Sequence, residues 1–334
     1  MKRNVTVFIF LILFLFLTFF FSLIFGGRKI LPQEIFQLLM NKQADEILST
    51  IVWKIRLPRI ILSLVIGAGL ASCGCVFQGI LRNPLAEPYT LGISGGAALG
   101  AVVGNFLSNL FVGYYSLPIC SFFGALASIF LVYFVASRKK FSVTGLILGG
   151  VILSFLFSSF VLFLFALFRA DKFHNVILWL MGDLSSAETE TIKVVTFAVI
   201  LGFALLFVFS RELNILTLGE EKATSLGIPT ETVKKLLFLV TSLIIGTCVS
   251  AAGLVGFVGL IIPHFFRWLS GSDQRILLPA SFLGGAIFLG LADTLARTII
   301  YPIELPVGVI TGIIGGLFFL IFFVRSRQWQ IYWK

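Results

Sequence analysis

Charged residues are scarce in this sequence. Only 12% of its 334 residues are Asp, Glu, Lys or Arg, and 58% are hydrophobic, whereas soluble domains carry about a quarter of charged residues. The mean hydropathy is +1.07. This composition excludes an ordinary soluble domain and predicts an integral membrane protein. Segments of period-2 hydrophobicity, which would indicate a transmembrane barrel, are also lacking, so the predicted fold class is all-α.

Residues that commonly carry catalysis or bind metals are scarce as well. The chain has two histidines and four cysteines, Cys73, Cys75, Cys120 and Cys248, which all lie in or beside apolar runs. Cys73 and Cys75 would point to different faces of a helix. No Ser/His/Asp or Cys/His arrangement and no Walker A glycine-lysine loop is visible. We therefore predict no enzyme, no metal, no cofactor and no ATPase site, and interpret the cysteines as packing residues.

Apolar runs of about twenty residues fill most of the chain, and such a run crosses a hydrocarbon core of about 30 Å as a helix. We predict ten transmembrane helices in a single domain, residues 1–334. The first run follows Lys2-Arg3 but is too long for a signal-peptide core and lacks a cleavage site. The predicted spans cover residues 5–26, 60–81, 91–110, 117–137, 143–168, 192–210, 236–252, 254–269, 276–298 and 307–324.

The basic residues predict the orientation in the membrane. With both termini in the cytoplasm, about fifteen of the 25 Lys and Arg residues lie on the cytoplasmic side, including the triplet at 138–140. Orientation therefore explains the net charge of +10 better than nucleic-acid binding does. Arg56, Arg59 and Arg297 fall on the opposite side. Interfacial snorkelling is one explanation for these three arginines, and a functional role is the other.

A spacing in the glycine-rich helices suggests an internal repeat. Gly67, Gly74 and Pro84 recur, displaced by a constant number of positions, as Gly246, Gly253 and Pro263. The two spans concerned would run in opposite directions, so we predict an inverted repeat of the kind many transporters use. The density of glycine and alanine in these spans also favours close helix packing.

Two segments between apolar runs have distinctive patterns. At Asn83-Pro84, followed by Pro88, the chain cannot continue as one straight helix, so we predict a broken turn. Residues 219–227 begin and end with glycine and are followed by Ile228-Pro229, which predicts two short helices with a hinge. This charged, amphipathic segment could dock on a soluble partner or lie plainly at the membrane interface.

The chain has few ionisable groups for an ion-coupled carrier. His264 follows Pro263 in an apolar span, and we interpret it as a packed or interfacial histidine. Glu87, Asp293 and Glu304 lie near predicted span ends rather than deep in the bilayer. The energy for transport is therefore expected from a partner.

The following motifs together resemble the FecCD-type permeases, the membrane subunits of binding-protein-dependent ABC importers for iron–siderophore complexes, haem and cobalamin. They are Arg56-Leu-Pro-Arg59, Gln78 with Asn83-Pro-Leu-Ala86, Leu91-Gly-Ile-Ser94, Leu218-Gly-Glu220 with Leu226-Gly227, Gly253 through Gly256-Phe-Val-Gly-Leu260 with Pro263-His264 and Arg267, Ala292-Asp293 with Arg297, and Glu304-Leu-Pro-Val-Gly308. The resemblance extends over almost the whole chain.

This resemblance implies a type II ABC importer permease fold in a bacterial or archaeal cytoplasmic membrane, with both termini cytoplasmic. The implied partners are a second permease copy, as a homodimer, two copies of an ABC ATPase subunit, an extracytoplasmic substrate-binding protein and the lipid bilayer. The binding protein would place acidic residues on Arg56, Arg59 and Arg297.

The resemblance also assigns residues to the cytoplasmic side. Residues 213–235 would form coupling helices that contact the ATPase, through a set that shares this segment: Leu218, Gly219, Glu220, Ala223, Leu226 and Gly227. A cytoplasmic gate would lie at Asn83 and Leu85 and at Val143 and Thr144. Val143 departs from the hydroxyl residue that the family's cobalamin importer has at that place.

The sequence thus predicts a permease that translocates an iron chelate, a siderophore first, with haem or cobalamin next and oxyanions such as molybdate behind. Two other classes stay open: an ion-coupled secondary transporter that acts without an ATPase, and a scaffold without transport.

Overall fold

A computed structural model describes residues 2–40, 46–87, 92–107, 115–137, 143–167, 174–185 and 187–325. The basic triplet at 138–140 and the tail after residue 325 lie outside these ranges. The described residues are almost entirely helical, because apolar segments without water must satisfy their backbone groups internally.

The helices follow one another along the chain as α1 to α15, with a π-helical turn at Ile51–Arg56 between α3 and α4. Their bounds are α1 Lys2–Ile24, α2 Pro32–Leu39, α3 Glu46–Thr50, α4 Leu57–Leu81, α5 Ile93–Leu107, α6 Ser116–Ser137, α7 Val143–Leu167, α8 His174–Leu180, α9 Thr189–Val208, α10 Ser210–Thr217, α11 Glu220–Ser225, α12 Thr230–Ala252, α13 Val258–Ser270, α14 Gln274–Thr298 and α15 Val307–Arg325.

In the described part of the chain, seven helical stretches are long and apolar enough to cross a membrane. They contain α1, α4, α6, α7, α9, α12 and α14. The other three predicted spans are also helices, but α5 has 15 residues and α13 only 13. At 1.5 Å per residue, α13 is about 20 Å long. Length and apolar composition therefore identify seven candidate spans among the described residues.

The breaks that shorten these helices have local causes. The chain between α12 and α13 is unwound, and both Gly253 and Phe257 have φ +68°. Before α5, Gly92 has φ +81°, and the helix begins at Ile93 rather than at residue 91. Two predicted starts also differ: the helix that leads into α4 begins at Glu46 rather than residue 60, and α12 begins at Thr230 rather than 236.

Helix α4 is the centre of the bundle, and most of its residues are buried against α14, α13, α12 and α9. Two glycines permit its closest approaches. A Cβ on Gly67 would lie 2.2 Å from the Gly285 carbonyl of α14, and a Cβ on Gly74 would lie 1.9 Å from the Gly259 carbonyl of α13. Small residues at such crossings are how membrane helices pack tightly.

The glycine and proline spacing does not correspond to equivalent positions in the fold. Gly74 is inside α4, whereas Gly253 ends α12, and Pro84 follows α4, whereas Pro263 is inside α13. Gly67 touches backbone, whereas Gly246 faces side chains of α6. The three pairs therefore differ in their local surroundings, and the inverted repeat stays a prediction.

Candidate functional site

Helix α4 joins two polar clusters at opposite ends of the bundle. Its 25 residues extend about 37 Å. Arg56 and Arg59 lie at its beginning, next to the end of the antiparallel α14, and this region is called the arginine end below. Gly79 and Arg82 lie at its other end, beside α10 and the turn before α11, and this region is called the coupling end.

At the arginine end, Arg59 joins α4 to two carboxylates. Its Nε donates to Asp293 Oδ1 of α14 at 2.9 Å, and its Nη1 donates to Glu304 Oε2 at 2.6 Å. Arg297 Nε lies 3.0 Å from the second oxygen of Asp293. Asp293 therefore sits between two guanidinium groups, which is how a fully buried carboxylate is tolerated.

Arg56 and Arg297 also hold the end of α1. Arg56 Nη1 donates to the carbonyls of Leu23 at 2.6 Å and Ile24 at 3.1 Å, and Nη2 donates to the carbonyl of Arg28. Arg297 Nη2 lies 3.4 Å from the Ser22 carbonyl. The last carbonyls of a helix lack intrahelical donors, and a cation there also suits the helix dipole.

The three arginines predicted for docking are therefore together, but they are buried and engaged within the chain. Arg56, Arg59 and Arg297 are 4%, 6% and 4% exposed, and Asp293 is 1% exposed. The Glu304 side chain is 51% exposed. The sequence analysis noted Asp293 and Glu304 as acidic residues near span ends and as parts of family motifs, but their pairing with Arg59 across more than 200 positions has no local signal.

At the coupling end, α10 and α11 are two short helices. The sequence predicts α11, between its two glycines, but its second helix after Gly227 is the beginning of the long α12, and α10 lies before Gly219. Gly219 and Gly227 flank α11 with φ +117° and +80°, values that residues other than glycine rarely adopt. Leu218 and Leu226 are largely exposed, whereas Ala223 is fully buried. The segment thus presents apolar side chains outward at both ends of α11, as a partner-binding surface does.

Contacts that the sequence analysis missed fix this segment to the bundle. Lys234 of α12 is 2% exposed, and its Nζ lies 2.9 Å from Glu220 Oε2. Asn214 of α10 donates to Asp273 Oδ1 at 2.8 Å and accepts from the Gln274 backbone at 2.8 Å. The coupling segment is therefore attached to both α12 and the beginning of α14.

The predicted gate residues lie in two places. Asn83 Oδ1 accepts from the Leu85 backbone N–H at 3.0 Å, which forms an Asx turn and leaves the Leu85 side chain exposed. Helix α7 begins at Val143, whose side chain is outside the described part, and Thr144 is exposed. Within the described residues, no hydrogen bond joins Asn83 or Leu85 to Thr144.

Glu87, in the turn between α4 and α5, reaches the break before α13. Its Oε1 accepts from the Phe257 backbone N–H, and its side chain is buried. Burial raises the pKa of this carboxyl from 4.5 to about 7, although the Phe257 hydrogen bond opposes the rise. Glu87 thus links the turn that carries Asn83 and Leu85 to the start of α13.

Comparisons with known proteins agree with this architecture. The sequence model of the FecCD transport family matches residues 13–325. The uncharacterized ABC transporter permease protein YvrB of Bacillus subtilis is 43% identical over 78% of this chain and 74% of its own length. The cobalamin import system permease protein BtuC of Halobacterium salinarum is 40% identical over 75% of this chain and 68% of its own.

Other relatives and one solved structure extend the comparison. Permeases named for hemin, molybdate and iron(3+)-hydroxamate import are 34–35% identical to this chain. An inward-facing metal-chelate type ABC transporter, described as putative, superposes with a TM-score of 0.83 at 30% identity, over 97% of this chain and 100% of the other.

Proposed function

Because the chain belongs to the FecCD transport family, we propose that it carries a metal chelate across the cytoplasmic membrane, with an iron–siderophore complex as the first candidate. It is the permease subunit of a binding-protein-dependent ABC importer and has no ATPase site of its own. The names of similar proteins include hemin, hydroxamate-bound iron and cobalamin, which are all bulky metal chelates. Haem and cobalamin are therefore the next candidates, followed by molybdate.

We propose ten transmembrane helices, with both termini in the cytoplasm. The seven long apolar helices would be joined by α5, α13 and α15, which pack in the same bundle. In this orientation the arginine end faces the extracytoplasmic binding protein, and the coupling end faces the ATPase. Two permease copies and two ATPase subunits would complete the importer.

The exposed surface of the coupling segment, residues 213–235, is the observation that carries this proposal. A polar segment fixed to α12 and α14 exposes Leu218 and Leu226, and it lies about 37 Å from the arginine end. Closure of the ATPase subunits would move this surface, and the contacts of α10 with α4 would transmit the movement to the turn at Asn83 and Leu85. Thr144 and Val143 would form the other half of the gate.

The test is copurification of the ATPase with the tagged permease from its native host. The double variant Leu218→Asp/Leu226→Asp should lose the ATPase, because both side chains are exposed and neither supports the core. Replacing residues 213–235 by a Gly/Ser linker should have the same effect. The matched control is Glu190→Ala/Lys193→Ala, an exposed ion pair at the arginine end, which should retain the partner.

Full retention of the ATPase by the linker variant would contradict the importer assignment of this surface. Cargo is tested separately by identifying the ligand that the associated binding protein carries. A ligand that is not a metal chelate would contradict the cargo proposal and leave the ATPase test unaffected.

A further inference from the structure

Glu304 covers the arginine cluster from outside. Among Arg56, Arg59, Arg297, Asp293 and Glu304, only Glu304 has a substantially exposed side chain, at 51%. Its carboxylate lies 2.6 Å from Arg59 Nη1. A protein that approaches this end therefore meets Glu304 before it meets an arginine.

The cluster is nevertheless suited to an acidic partner. Three guanidinium groups face two carboxylates, so one positive charge is left over within the cluster. Arg56 donates its hydrogen bonds to the neutral carbonyls of Leu23, Ile24 and Arg28. Such an excess of one sign attracts partners of the opposite sign.

The ion pair between Glu304 and Arg59 is also the one whose loss destabilises the cluster least. Arg59 keeps Asp293 at 2.9 Å when Glu304 leaves, so the buried guanidinium is never without an anion. An ion pair with one half-exposed partner stabilises a protein only weakly. Removing Asp293 would instead leave two buried arginines without their shared carboxylate, which is far more costly.

We propose that Glu304 pairs with Arg59 only until the binding protein docks. A carboxylate of the binding protein then takes the place of Glu304 on Arg59. The inference rests on the proposed function and adds to it a mode of docking: exchange of one carboxylate for another, rather than contact with free arginines. Competition from Glu304 weakens docking and makes release of the binding protein faster.

The test measures the affinity of binding proteins for the permease–ATPase complex in nanodiscs. Each extracytoplasmic binding protein of the host is purified, and the one that binds the wild-type complex is used as the probe. Glu304→Gln should lower its Kd about two- to fivefold, mainly through slower dissociation, because the competing charge is gone. Glu304→Ala should give at least the same gain.

Glu190→Gln is the matched control, because it removes an even more exposed negative charge, at 72%, at the same end but outside the cluster. It should leave the Kd unchanged, which separates exchange from a general change in charge. An unchanged or higher Kd for both Glu304 variants, with melting temperatures like the wild type, overturns the exchange. A wild-type complex that binds none of the host's binding proteins contradicts the proposed function itself.

Discussion

Glu87 carries a carboxyl group into the protein interior at the turn after α4. Its folded-state pKa of about 7 lies above its ordinary value of 4.5 because burial disfavours the charged form. Between these two pH values the folded protein keeps a proton that the unfolded chain has released. The contribution of Glu87 to stability is therefore largest below pH 4.5 and falls as the pH rises through 7.

This linkage gives a measurable prediction. The free energy of unfolding should decrease by up to about 3 kcal/mol through this one group as the pH rises from about 5 to 8. Glu87→Gln stays neutral in both states and should remove that part of the pH dependence. Melting temperatures of both proteins in detergent at several pH values provide the measurement. Parallel pH profiles for the two proteins would contradict the buried, proton-holding carboxyl.

The arginines show where residue-scale prediction from sequence succeeded and where it could not. Arg56, Arg59 and Arg297 stood out because they oppose the charge bias of the membrane, and the structure places them at one end of the bundle. Their burial could not be predicted, since it depends on Asp293 and Glu304, which approach Arg59 only after α4 and α14 have packed. Docking on these arginines stays a prediction.

Among the elements, the crossing of α4 and α13 is a close backbone contact that a substitution can test. A Cβ at Gly74 would lie 1.9 Å from the Gly259 carbonyl, and backbone on both sides cannot move aside. Gly74→Ala should therefore destabilise the protein by about 3 kcal/mol, at the upper end of typical overpacking. A lower melting temperature in detergent is the expected result.

Gly246→Ala is the matched control for this crossing. It is also a glycine inside a long helix, but its nearest contact from an added Cβ is an ordinary 3.5 Å. The alanine should be neutral or stabilising by up to about 1 kcal/mol, since alanine favours helix more than glycine does. Equal melting temperatures for the two variants would show that α4 and α13 are not packed so closely.

The presence of each helix was easier to predict from the sequence than the residues at which it begins and ends. Each of the ten apolar runs contains a helix among the described residues, because hydropathy reports burial in lipid or protein directly. The short α13 was missed, since an unwound segment such as 253–257 can be as apolar as a helix. The early beginning of the helix at Glu46 was also missed. The short helix α8 was missed because His174–Leu180 lies in a loop that reads as polar overall.

At the scale of the whole molecule, the described surface requires a membrane. Helices α1, α6, α7, α9 and α15 expose large apolar side chains along much of their length, which is stable only against lipid or another protein copy. Polar clusters lie at the two ends of α4, the arginine cluster at one and the coupling segment at the other. This division fits a subunit that passes cargo while other proteins load it and supply energy.

Reconstituted uptake tests this account most directly. The permease is placed in proteoliposomes with its copurified ATPase, and entry of radiolabelled ferrioxamine, hemin and cobalamin is measured in parallel. The account predicts uptake of at least one chelate only when the ATPase, ATP and the loaded binding protein are all present. Uptake by the permease alone, driven by an ion gradient without ATPase or binding protein, would contradict it and support a secondary carrier.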